Sequence, residues 1–348
     1  MHIDDLLRKE SEWLKGTGPK SNIVISSRVR LARNFDGFPF LNQANPDVKL
    51  KILKMAESLM GKSKFLKGTL FIKMNDISEV DRQFLVERHL MSLEHMQDIE
   101  SKALVIDDKE IISIMVNEED HLRIQILQSG FNIMEAWRMI DEIDNDLSQY
   151  ANFAFSNKWG YLTACPTNTG TGLRGSVMLH LPALVITNQI GRVYQAISKL
   201  GLTMRGLYGE GTDASGNFFQ ISNQVSLGQS ETDLLDNIEK LINKIIMRES
   251  STRNMLMTKN KEEVVDRIWR AYGTLNTARI INSKETITLL SIIRLGVDLG
   301  IIKKVDMRTI NELFVLTQPA HLQKLENKIL TPDERDVKRA ELVRSKLT

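Results

Sequence analysis

Arg28, Arg30 and Arg33 crowd one apolar run, Asn22-Ile-Val-Ile-Ser-Ser-Arg-Val-Arg-Leu-Ala-Arg33, and further arginines stand at 123, 174 and 205. Ile23 and Ile25 alternate with Val24 as in a strand, so Arg28 and Arg30, two apart, share one face. A guanidinium grips anions through a planar, permanently charged fork. Arginines drawn from several segments suggest a triphosphate held by side chains rather than by one backbone cradle. A solvated basic edge explains residues 28–33 equally well if that run is taken alone. Glu119 and Glu210 supply carboxylates from two further segments, and Cys165 is the one thiol of the chain. Paired carboxylates suit a cationic acceptor; a guanidinium matches them bidentately, and a thiolate beside them would face the same cation. A guanidinium keeps its proton until above pH ~12, so attack by its nitrogen on a γ-phosphoryl group needs a base and a tight geometric hold.

The densest of these segments is Cys165-Pro-Thr-Asn-Thr-Gly-Thr-Gly-Leu-Arg-Gly-Ser-Val177. Glycines at 170, 172 and 175 allow close backbone approach, and N–H groups and threonine hydroxyls there would face an anion. No Gly-Lys-Ser/Thr follows, so this is not a Walker A loop, and it fits a dinucleotide fingerprint poorly. Val177, Leu179, Leu181 and Val185 continue it as a strand-like run. A second glycine-rich segment, Leu202 to Asn217, carries Arg205, Glu210 and Asp213 and leads into Phe218-Phe-Gln-Ile-Ser-Asn223. A third cluster, Asn117-Glu-Glu-Asp-His-Leu-Arg123, interrupts a probable core sheet. A solvated turn accounts poorly for Glu118 to Asp120 in that position.

The elements that must position these residues follow from periodicity. Residues 4–15 read as a short helix closed at Gly16. Asn45-Pro46 opens a helix over 47–61. Another spans about 77–90 under an Asp76 or Ser78 cap, with Val80, Phe84 and Leu85 inward. It ends near His89, and a lone histidine there is ordinarily structural. Residues 103–106 and 111–116 flank the polar turn Asp107–Glu110 as a hairpin. His121, Arg123 and Gln125 alternate with Leu122, Ile124 and Ile126 in a further strand. Helices are expected at 132–149, with Ile133, Trp137, Ile140, Ile143 and Leu147 on one face, at 189–200 and at 231–250. From about 255 the pattern is helical alone, at 261–272, 283–300, 306–317 and 332–347, which reads as a separate, mildly basic domain. Its last helix opens with the capping box Thr331-Pro-Asp-Glu334. Arg335 and Arg339 share a face beside Asp336 and would grip a phosphate on one side and a cation on the other. An ordinary salt-bridged surface helix is the simpler account of those three residues.

Composition sets limits. Apolar content of 42% and charged content of 26% are those of a soluble globular protein. A net charge of +2 excludes a nucleic-acid-binding polycation. No apolar run approaches the ~20 residues that span a bilayer, and the charged N-terminus has no signal-peptide core. One cysteine excludes an intramolecular disulfide and a cysteine-based zinc cage. The expected compartment is the cytoplasm, with neither nucleic acid nor membrane as partner.

Ser27-Arg-Val-Arg30, Asn117-Glu-Glu-Asp-His-Leu-Arg123 and Cys165-Pro…Gly-Thr-Gly-Leu-Arg174 resemble, in order and spacing, the signature segments of the ATP:guanidino phosphotransferases, the family of creatine and arginine kinases. The resemblance covers about 21–250. It implies an α+β catalytic fold, a curved antiparallel sheet flanked by helices, working on ATP with Mg²⁺ bridging the phosphates and no dedicated protein metal site. Carried over by position, it implies that Ser27, Arg28, Arg30, His89, Arg123, Arg174, Gly175, Ser176, Val177, Met178, Arg205 and Gly206 bind ATP. Glu119 would be the base that orients the guanidinium, and Cys165 the reactive cysteine. The metabolite kinases carry a helical domain ahead of the Ser27–Arg30 segment, where this chain has about 20 residues, and lack one at the C-terminal end. Both departures resemble the bacterial protein arginine kinases, as do Arg205-Gly-Leu-Tyr-Gly-Glu210 and Arg335-Asp-Val-Lys-Arg-Ala340. That resemblance implies an N-terminal segment 1–20, a catalytic domain 21–252 and an all-α domain 255–348. It also implies Glu210 as the second guanidinium-binding carboxylate and Arg335, Asp336 and Arg339 as a phosphoarginine-binding site. It implies protein substrates with accessible arginines, marked for Clp-type proteolysis in a stress response. The partners would be a Clp ATPase, a zinc-binding activator protein and a heat-shock repressor, and the assembly a homodimer. A free-guanidino kinase and a phosphoarginine-reading protease adaptor are the alternatives.

Overall fold

The structure, a computed structural model, describes residues 2–206 and 215–347. Ten strands follow in chain order: β1 Val24–Arg33, β2 Leu70–Lys73, β3 Ala103–Ile106, β4 Ile112–Val116, β5 Leu122–Ser129, β6 Phe155–Ser156, β7 Gly160–Tyr161, β8 Leu173–His180, β9 Leu202–Gly206 and β10 Phe218–Asn223. Eight of them form one antiparallel sheet in the order β2-β3-β4-β5-β1-β8-β10-β9, and β6 and β7 make a separate small hairpin. This is the α+β architecture expected, an antiparallel sheet flanked by helices with a helical region at its C-terminal end.

Two-residue alternation divides the sheet into two faces. Val29 and Leu31 of β1, Ile124 and Ile126 of β5, Val177 and Leu179 of β8 and Ile221 of β10 enter the main core. That back face is covered by the helices Pro46–Lys62, Ile133–Leu147 and Glu231–Lys259. Gly175 lets the last of these come close: a Cβ there would lie 2.8 Å from Leu235 and 3.1 Å from Ile238. The front face has two zones. One carries arginines. The other carries Leu127, Met178 and Phe218, which join a second core built with Trp13, Leu14 and the C-terminal helices.

Most helices lie where expected, and four differences have local reasons. Residues 4–15 are not one helix: Asp5–Arg8 is followed by a 3-10 turn, Glu12–Leu14. Ser11 is buried there and donates to Glu110 at 2.6 Å, which draws the chain onto the β3–β4 turn. The run after Val177 stops being a strand at His180, because Pro182 opens a short helix, Pro182–Ile186. The helix expected at 231–250 continues without a break to Lys259. Its extension is fixed by Arg253, which pairs with Glu249 at 2.7 Å and Asp298 at 2.5 Å. An additional helix, Pro319–Leu325, has its first N–H groups, from Ala320 and His321, capped by the distant carboxylate of Glu87.

Arg33 belongs to the back face. Its guanidinium is buried, binds Asp144 through Nε at 3.0 Å and Nη2 at 2.7 Å, and stacks on Tyr161 at 3.5 Å. Asp144→Ala would strand that charge in the core, a loss of about 3–5 kcal/mol. The expected result is a lower urea midpoint, read by circular dichroism, at unchanged slope.

Candidate active site

The front-face arginines line a cavity of about 430 Å³. Arg28 and Arg30 come from β1, Arg123 from β5, Arg174 from β8 and Arg205 from β9. Strand register sets their spacing: Arg30 faces Arg174 across the β1–β8 ladder, Arg28 faces Ser176, and Arg205 faces Gln220. Like charges directly opposite on neighbouring strands repel. Burial, then Arg123 and Arg174, hold Arg28 down to about 10. Burial and the same crowding push Arg30 well below the usual arginine range, and burial with Arg205 and Arg123 lowers Arg174. The Nε atoms of Arg30 and Arg174 are buried and have no hydrogen-bond partner among the described residues. Unsatisfied buried donors on a crowd of cations fit a multivalent anion such as a polyphosphate.

Acidic residues join the cavity from the turn between β4 and β5. Asn117 reverses the chain in the left-handed region (φ 60°), which an Asn tolerates, and its amide binds the carbonyls of Lys49 and Ser101. The three carboxylates that follow do different work. Glu118 is buried and accepts from Arg123 at 2.5 Å and Ser92 Oγ at 2.6 Å. Burial opposes its charge, but Arg123 and Ser92 outweigh it and hold Glu118 below the usual carboxylate range. Asp120 is buried and accepts from Asn34 and from the Ala164 N–H, both at 2.7 Å, fastening the Cys165 segment to the turn. Glu119 lines the cavity, with Asn168 Nδ2 at 3.2 Å. Partial withdrawal from water, reinforced by Asp120 and Glu118, raises Glu119 above the usual range despite Arg123.

Cys165, Thr167 and Asn168 also line the cavity. Cys165 is half-buried, its Sγ 3.0 Å from Thr167 Oγ1. The glycine-rich stretch is not a backbone cradle. Gly170 N–H goes to Tyr161 O at 3.2 Å, Gly175 N–H goes to Asn223 Oδ1 at 2.8 Å, and the hydroxyls of Thr163 and Thr169 bond each other. Arg174 projects instead from a strand.

The cavity thus brings together seven of the residues expected at a site: Arg28, Arg30, Glu119, Arg123, Cys165, Arg174 and Arg205. The others lie elsewhere. Ser27 is buried and donates to Gly130 O at 2.8 Å, Ser176 takes a bond from Arg28 Nε at 3.4 Å, Val177 is in the main core, and Gly206 pairs with Phe219. His89 packs edge-on against Trp13 and, with Met178, lines a small apolar pocket. Burial and then Arg28 push His89 down to about 4, so it is neutral at pH 7. Arg33, grouped by its spacing with Arg28 and Arg30, is outside the cavity, tied to Asp144. In the last helix Arg339 is buried and bonds Asp336 at 2.5 Å, Thr317 O at 2.8 Å and Ile281 O at 3.0 Å; Arg335 is half-buried beside them. Glu210 and Asp213 lie outside the described residues. Sequence reasoning did not reach Ser92, Glu94, Asn168, Gln220 and Ser222, which also line the cavity. Asn168 was legible only as part of the glycine-rich stretch, and Ser92 only as an N-cap.

Two family models match: the ATP:guanido phosphotransferase C-terminal catalytic domain over residues 51–252, and the protein-arginine kinase McsB C-terminal domain over residues 261–348. Relatives align along nearly the whole chain. A protein-arginine kinase of Halothermothrix orenii is 50% identical over 100% of this chain and 99% of its own length. That of Symbiobacterium thermophilum is 49% identical over 98% of each. Among solved structures, a lombricine kinase superposes with a TM-score of 0.59 at 23% identity, covering 68% of either chain, which speaks for the fold. An arginine-lined anion site facing a carboxylate is what a guanidino phosphotransferase using ATP requires, and the chain belongs to the ATP:guanido phosphotransferase family, on its protein-arginine kinase branch.

Proposed function

We propose that this chain transfers the γ-phosphoryl group of ATP to the guanidinium of arginine side chains in proteins. The observation that carries the reading is the cavity's composition: five arginines from four strands of the sheet, with Glu119 and Cys165 from two loops lining the same space. Arg28, Arg30, Arg123, Arg174 and Arg205 hold the phosphates, with the buried, unpaired Nε donors of Arg30 and Arg174 among them. The backbone of Gly175, Ser176, Val177, Met178 and Gly206, with Ser27, keeps those strands in register, and His89 and Met178 serve the base end of the nucleotide. Glu119 orients the acceptor guanidinium and takes its proton as the attacking nitrogen bonds to phosphorus and the bond to the β–γ bridging oxygen breaks. Glu210 is the second carboxylate of that clamp, and Cys165 faces the same cation. Catalysis is then positioning plus fixed electrostatics. No group of three or more His, Cys, Asp or Glu side chains suited to a metal occurs among the described residues. Mg²⁺ would accompany the phosphates of ATP and offset part of their charge.

The wider reading rests on the family alone. It takes 21–252 as catalytic and 255–348 as a helical domain in which Arg335, Asp336 and Arg339 bind phosphoarginine. The setting is a cytoplasmic stress response in which a homodimer, with a zinc-binding activator protein, marks a heat-shock repressor and other proteins for a Clp ATPase. No helix among the described residues is long and apolar enough to cross a membrane.

The test is intact-mass spectrometry of an unstructured arginine-rich protein incubated with this chain, ATP and Mg²⁺. Gains of one phosphoryl mass, lost in acid and mapped to arginine, are expected. Phosphorylation of free arginine with none on protein would return the chain to the metabolite kinases.

A further inference from the structure

We propose that Leu93 and Glu94 form a lip that selects the substrate by the residues beside its target arginine. The inference rests on the protein-acceptor reading and names the sequence context that the site takes. Glu94 lines the cavity on its acidic side, with Ser92, Glu118 and Glu119. The charge of Glu118 is already met by Arg123, and Glu119 is the residue facing the target guanidinium. Glu94 makes no direct ion pair among the described residues; Lys102, bonded to its carbonyl, attracts the carboxylate from nearby, which leaves its oxygens to contact a second cation. Leu93, the next residue along, is 55% exposed and stands outside every core of the described residues.

The lip is rigid, which a recognition surface requires if ordering it is not to offset the binding. Ser92 Oγ accepts from His95 N–H at 3.1 Å while donating to Glu118. Lys102 Nζ ties the carbonyls of Glu94, at 3.2 Å, and Gln97, at 2.7 Å. His95 is buried and bonds Ala103 O at 3.0 Å, and Met91, Met96 and Ile99 are packed into the third core. A turn anchored so firmly holds a leucine in water beside a catalytic cavity. A single exposed leucine is ordinary on a protein surface; what sets Leu93 apart is its place on an anchored turn next to Glu94, which lines the cavity. The matching chemistry is an extended chain whose target arginine has an apolar neighbour for Leu93 and a basic neighbour for Glu94.

Two unstructured peptides with a single arginine test this, one with Leu and Lys as its neighbours and the other with Ser and Gln. N-acetylarginine amide serves as a small acceptor. The unmodified chain is expected to show a KM lower by about tenfold for the Leu/Lys peptide. Leu93→Ser should remove roughly half of that preference on a logarithmic scale and leave turnover of the small acceptor unchanged. Glu94→Gln should remove the rest, and Glu94→Asp should restore part of it. Equal KM values for the two peptides, or a preference that survives both substitutions, overturn the lip. Turnover of N-acetylarginine amide with neither peptide phosphorylated overturns the protein-acceptor reading itself.

Discussion

Glu119→Gln should leave a folded protein that transfers phosphoryl groups at least ~10³-fold more slowly, in the upper part of the range that a general base contributes. The side chain's one hydrogen bond among the described residues comes from Asn168 at 3.2 Å, and an amide keeps that geometry. Thermal stability should therefore hold or rise slightly, because Glu118 and Asp120 lose a like-charged neighbour. The pH dependence gives a second readout. Partial burial raises Glu119, so protonation sets in above the ~4.3 of a free glutamate. The ionised form is the active one, so kcat/KM in the parent protein falls as pH drops through that raised value. The residual activity of Glu119→Gln should lose this limb. A variant within a few-fold of the parent rate, with the acid limb intact, would remove Glu119 from the chemistry.

Arg30→Met should move activity and stability in opposite directions. Arg30 faces Arg174 across the ladder, its Nε is buried without a partner among the described residues, and burial, then Arg28, Arg123 and Arg174, disfavour its charge. Methionine fills the volume of the stem without the charge. The nucleotide-free protein should gain ~1 kcal/mol from relieved repulsion, seen as a higher urea midpoint. kcat/KM for ATP should fall by roughly 10²–10³-fold, the usual cost of one preorganised charge contact in a transition state. ATP should also raise the melting temperature less than in the parent, since ligand stabilisation follows affinity. A variant that loses stability as well as activity would mean that the arginine row is held by interactions other than a waiting anion.

What the sequence made legible was mostly periodic. Alternation in β1 and β5 placed Arg28, Arg30 and Arg123 on strands, while Arg174, read as part of the glycine-rich loop, lies on β8; the β3–β4 hairpin and the helix 332–347 were found at nearly their true bounds. Parity also held the answer for Arg33. It sits an odd number of residues from Arg28 and Arg30, so it points through the sheet to Asp144, a distinction that counting arginines in a run overlooks. Long-range pairing was out of reach. Nothing local says that β1 lies between β5 and β8, and that order is what makes Arg30 a neighbour of Arg174. The helix Pro319–Leu325 was missed because its cap, Glu87, comes from far along the chain. The three carboxylates of the β4–β5 turn look alike in sequence, and only their partners separate Glu118 and Asp120 from Glu119. The roles of Glu119 and Cys165 came from resemblance, which pattern alone does not supply.

Gly175 bears on which random changes this enzyme can absorb. It sits beside Arg174, yet the space its missing side chain leaves is taken from behind by Leu235, Ile238 and Ile133. A methyl group would push the ends of those side chains aside, and a bulky residue would wedge the long helix off the strand and tilt the guanidinium on the other side. A library screened for lost activity should thus return hits on the side of the sheet that no substrate visits. Drift there is constrained by aim rather than by contact, so a map of tolerated substitutions would outline the site from its reverse.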